Sequence, residues 1–209
     1  MAYPTVEAPY GLVPINLIGG QPYAGSTRQM KIASGYATDI FNGDVVKRAA
    51  DGTIQKETGT TTVTATGVIG VFVGVTYTDP STSQKTFKQY YPASTAASDI
   101  QAYVVDDPDA LFKVAVVSGT TVIAGTGYTS IGSNAALVQN AGSTTTGNSK
   151  VAINAINTTL SLPMRIVDVV EETTDSSGNY TEVLVKWNVP HENSNVATGG
   201  HAYMTATGL

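Results

Sequence analysis

Between Gly67 and Val116 the chain carries its densest strand signals, and no stretch of it sustains a helical period. Val71, Phe72, Val73 and Val75 form a nearly continuous apolar run, the pattern of a strand buried on both faces. Phe112, Val114 and Val116 alternate with Lys113 and Ala115, the period of two that belongs to a strand with one face in a core. Shorter strand signals lie on either side: around Met30 and Ile32, over 44–48 and 53–56, at 87–91 and 100–105, and at 150–156. Residues 164–170 and 180–189 read as a hairpin pair around Ser176–Asn179, with Val183, Val185, Trp187 and Val189 on one face. Residues 134–139 fit a strand or a single helical turn. Asp51-Gly52 between two strands predicts a hairpin with a type I′ turn. Short strands with turn residues between them predict an all-β chain, an antiparallel β-barrel or sandwich core.

Two extensions flank that core. Residues 1–27 hold Pro4, Pro9, Pro14 and Pro22, a density that prevents helix and weakens sheet pairing. Tyr3, Tyr10, Leu12, Ile15, Leu17, Ile18 and Tyr23 are spaced through the same stretch, which is too apolar for a solvated tail. It therefore reads as an extended proline-rich N-terminal arm, wrapped on its own core or gripping a neighbour. Tyr3, Pro9, Tyr10, Leu12, Ile15, Leu17 and Tyr23 are its candidate partner-interface residues. Residues 28–189 read as the β domain, with 119–127 as the candidate internal boundary. Residues 190–209, with Gly199-Gly200, read as a flexible C-terminal tail.

Chemistry is sparse. Charged residues make up only 13% of the 209, about half the usual share, which suits surfaces that pack on other proteins. The net charge of −5 and the lack of a basic stripe argue against nucleic acid as a partner. No apolar run approaches the ~18 residues of a membrane helix. No charged-then-apolar leader opens the chain, so synthesis in a cytoplasm without export is expected. Without cysteine there is neither a disulfide nor a thiolate nucleophile. His191 and His201, the only histidines, sit in the tail, where nothing predicts the packing that a Ser-His-Asp arrangement needs. Gly142–Ser149 resembles a phosphate loop except that Asn148 stands in place of the lysine, and a strand rather than a helix is expected after it. Asp106, Asp107 and Asp109 offer oxygens for a calcium ion, but their spacing lacks the calcium-loop pattern and fits a turn better. No cofactor, metal or enzymatic activity is expected.

Several segments carry a resemblance. They are Ala8–Pro14 (APYGLVP), Leu17–Pro22 (LIGGQP), Gly25–Gln29 (GSTRQ), Gly35–Lys47 (GYATDIFNGDVVK) and Asp107–Val114 (DPDALFKV). Up to about Trp187 the chain resembles virion structural proteins of tailed phages, especially phages of marine bacteria. The Gly-Asp-Val-Val strand followed by Gly-Val-Phe-Val-Gly-Val is similar to small β-barrel proteins that decorate phage capsids. The resemblance implies a capsid decoration or cement protein on the outer face of the head. Its implied partners are the major capsid protein and two further copies of itself in a homotrimer. A tail, fibre or host-surface module of the same virion is the alternative, with Tyr90-Tyr91 as an aromatic pair for a glycan.

Overall fold

A computed structural model describes residues 9–61, 68–188 and 201–204. It is a two-sheet antiparallel sandwich. The first sheet orders its strands β1 (Val13–Leu17), β8 (Ala110–Ala115), β14 (Glu182–Trp187), β13 (Met164–Val169), β11 (Asn134–Val138) and β12 (Ala152–Asn157). The second runs β2 (Arg28–Lys31), β7 (Gln101–Val105), β5 (Gly70–Thr78), β3 (Val45–Arg48) and β4 (Ile54–Lys56), with β6 (Lys85–Lys88) on the far half of β5. A small hairpin, β9 (Val117–Ser118) and β10 (Val122–Ile123), follows β8. The first sheet curls until Ile153 of β12 meets Val116 in one parallel bridge. Among the described residues the sheets do not close into a barrel.

Alternation along the strands divides the core. Val45, Val71 and Val105 of the second sheet pack with Phe112, Val114, Leu137, Ile166, Val185 and Trp187 of the first. Their sequence neighbours Val46, Phe72 and Val104 turn to the other face of the second sheet, where Ile40, Tyr91 and Ile100 from loops cover them. Both faces of β5 are thus buried, as its apolar run predicts. Asn134–Val138 is a strand with every residue buried, which settles the choice left open there.

The Asp51-Gly52 hairpin forms between β3 and β4, but not with a type I′ turn. Only Gly52 has positive φ, at 82°. The loop closes from the Ala49 N–H to the Thr53 carbonyl at 2.8 Å, and the Gly52 N–H donates to the Ala49 carbonyl. The loop is thus three residues long, in which only the last, Gly52, goes left-handed, and the Asp51 carboxylate accepts from the Thr53 hydroxyl at 2.7 Å and the Thr53 N–H at 2.9 Å. The same bonds hold its carboxyl below the usual range.

Of the two placements expected for the proline-rich segment, its described part takes the one on its own core, and it does so as a strand. Residues 13–17 are a strand of the first sheet, paired with β8, with an irregularity between Pro14 and Asn16. Proline is tolerated because β1 is an edge strand and the pairing is broken just there. The chain then turns back through Gly20, and the Tyr23 N–H donates to the Ile15 carbonyl at 3.2 Å, covering part of the open edge. At residues 119–127 the chain forms the turn and second strand of the β9–β10 hairpin; it passes from the first sheet to the second between Leu17 and Arg28 and returns at Asp106–Asp109.

Candidate functional site

The seven candidate interface residues do not form one exposed surface. Tyr3 lies outside the described residues. Pro9 is buried, and Leu12 is a fully buried member of the central core. Leu17 and Tyr23 pack against that core, and Ile15 is half-buried. Tyr10 lies with its ring 5.5 Å from the Lys113 ammonium. Burial and the Glu182 carboxylate push its hydroxyl pKa up. Most of the set anchors the segment to its own domain. The side chains left outward are Val13 and Ile18, neither of them in that set of seven, the latter 46% exposed. Ile18 borders a groove of about 370 Å³ together with Ile131, Arg165, Val167 and Lys186.

The Tyr90-Tyr91 pair is split. Tyr91 is buried and donates its hydroxyl to the Tyr36 carbonyl at 3.1 Å. Tyr90 stacks on Phe41 with ring centres 5.4 Å apart. A more open aromatic is Phe87, 65% exposed, whose ring lies over Gly74 and 5.9 Å from Tyr103.

The acidic turn sends its carboxylates to three different partners. Asp106 takes the Arg28 Nε at 2.8 Å, Asp107 accepts the Asp109 N–H at 2.8 Å, and Asp109 faces Lys186 at 3.6 Å. They do not converge on one point. Among the described residues no group of three His, Asp or Glu side chains is placed to hold a metal. In the 142–149 loop the Ser143 N–H donates to the Asn148 carbonyl, the Gly147 N–H to the Ser143 carbonyl and the Ser149 N–H to the Asn42 carbonyl. The chain then enters β12 rather than a helix, so the loop lacks the helix N-terminus on which a phosphate loop depends.

One polar cluster has no signal in the sequence. Asp44 is fully buried and accepts from the Phe41 N–H at 2.9 Å, the Ser149 hydroxyl at 2.6 Å and the Lys56 ammonium at 2.8 Å. Ser149 in turn accepts the Val151 N–H at 3.0 Å. Nearby, Gly11 and Gly43 cross backbone to backbone; a Cβ on Gly11 would come within 2.9 Å of the Gly43 Cα, and Gly43 has φ of 93°. Serine, lysine and aspartate together suggest hydrolytic chemistry. With Asp44 and Ser149 sealed from solvent, the cluster instead ties three chain segments together.

His201 is the other residue whose place was not foreseen. It is wholly buried beside Trp187 and lies in the described part of the tail, 201–204; His191 lies outside the described residues. Comparison with known proteins finds no matching family model, no matching curated relative and no matching solved structure.

Proposed function

We propose that the chain is a non-enzymatic capsid decoration protein, a homotrimer that binds the outer face of a tailed-phage head and bridges neighbouring major capsid subunits. The segment likenesses supply the virion context. The observation that carries the reading is the first sheet's edge. Val13 and Ile18 are exposed on a segment that Leu12, Leu17 and Tyr23 anchor from behind. An adhesive side chain on a fixed backbone loses little entropy on binding, whereas ordering a free arm costs roughly 1–2 kcal/mol per residue. Weak contacts of this kind gain strength through the linked copies of a trimer.

Ile18→Asp is the direct test. The substitution sets a charge at the groove mouth without touching the buried core. It should weaken binding of the full chain to purified shells at least tenfold, with thermal unfolding unchanged within about 2 °C. Undiminished shell binding would remove this edge from the interface.

A second reading draws on Phe87 and Tyr103, an exposed ring beside another on the second sheet. An exposed aromatic ring of this kind suits a sugar face, and a tail or fibre module of the same virion would use it for host glycans. Such a module is present in few copies per particle, so copy number separates the two readings.

A further inference from the structure

Residues His201–Met204 lie in a slot between the two sheets, and side chains specific to them hold them there. His201 pairs in parallel with Val68, and the Ala202 N–H donates to the Val68 carbonyl at 2.7 Å. The His201 ring centre is 6.2 Å from that of Trp187, which in turn packs edge-on to Phe112 at 5.6 Å. Tyr203 closes the slot from outside. Its ring is 5.0 Å from His201, its hydroxyl is 3.2 Å from Asp106 Oδ2, and Arg28 lies over its face while donating to the same hydroxyl. Asp106 completes the clasp by pairing with Arg28 at 2.8 Å.

The His201 Nδ1 accepts the Tyr203 N–H at 3.3 Å. The neutral ring therefore carries its proton on Nε2, a buried atom without a well-formed hydrogen bond. A second proton would be placed on Nδ1, the atom now acting as acceptor. It would break that bond and leave a cation against Trp187, Val68 and Ile69.

We propose that this slot is an intramolecular peptide-binding site, that its ligand is the chain's own His-Ala-Tyr-Met segment, and that protonation of His201 releases it. The charged groups around the ring are Asp106 and Asp107 from the acidic turn and Arg28 from β2, with Arg48 of β3 near Tyr203. Burial holds the His201 pKa below its ordinary value; the Ile69 backbone and the two carboxylates act in the opposite direction, and burial prevails. Above about pH 6.5 the docked and undocked rings are both neutral, and docking is at full strength. As pH falls, the undocked ring takes a proton first. The docking constant then drops by up to tenfold per pH unit until the docked ring also titrates. The inference stands independently of the virion reading.

The full chain carries its own probe, since Trp187 is its only tryptophan. Between pH 8 and pH 5 its emission should change reversibly while far-ultraviolet circular dichroism stays constant. Stopping at pH 5 keeps the scan above the ordinary carboxylate range near 4. Over the same range, hydrogen-exchange protection of the Ala202 amide should fall by up to tenfold per pH unit. His201→Gln, close in size and unable to charge, should show neither step whether or not its segment docks; His191→Gln should retain both. The same emission step in His201→Gln, or Ala202 protection at pH 5 equal to that at pH 8, would overturn the proposal.

Discussion

Asp44→Ala is expected to destabilise the fold by about 3–5 kcal/mol, the range for removing one partner from a buried ion pair. The carboxylate accepts three hydrogen bonds, from Lys56, Ser149 and the Phe41 backbone. Its loss leaves the Lys56 ammonium, whose side chain is only 11% exposed, without a counter-charge. It also leaves the buried Ser149 hydroxyl and the Phe41 amide without their acceptor. For a chain of this size the midpoint of thermal unfolding should drop by on the order of 6–20 °C. Adding Lys56→Met to the alanine variant should recover part of the loss, because the stranded charge is then gone. A change under 1 kcal/mol in denaturant unfolding would show that the three segments meeting at Asp44 are held by something else.

Leu12→Ala is expected to cost about 2–5 kcal/mol, the range for emptying a closed core site. Leu12 lies in the proline-rich stretch, yet it is fully buried among Val45, Phe112, Val151 and other core residues. The same packing changes the meaning of a truncation. Removing residues 1–27 takes away β1 and Leu12 together, so the shortened chain should lose cooperative unfolding and expose the flank of β8. Loss of shell binding by that variant would say nothing about an interface. If Leu12→Ala unfolds within 0.5 kcal/mol of the parent chain and the truncated chain keeps the parent midpoint, the segment is an appendage after all.

Much of the fold is legible in local patterning. The burial of β5 on both faces, the β13–β14 pair and the inward set Val183, Val185 and Trp187 follow from periodicity alone. The Asp51-Gly52 hairpin follows from turn chemistry; its turn type does not, because the pairing of Ala49 with Thr53 makes the loop three residues long and only its last residue goes left-handed. β1 is hidden because proline argues against a strand unless the strand lies at an edge, and edge position is a property of the assembled sheet. The Asp44 cluster is hidden for a similar reason: Ser149 stands 105 positions away, and nothing local to either residue announces the contact. The glycine-poor, apolar signal of a docked segment is also missing around His201, where one buried ring and an Arg28–Asp106 clasp replace a long hydrophobic run.

These placements move the proposed adhesive surface from the whole arm to a few outward side chains on a rigid edge. The central claim is that this edge serves many identical contacts on a phage head. Counting the chain by quantitative mass spectrometry of purified particles, with the major capsid protein as internal standard, tests it most directly. The account predicts a count that scales with the capsid lattice, on the order of one trimer per few capsomers. A handful of copies per particle would contradict it and favour the tail or fibre reading.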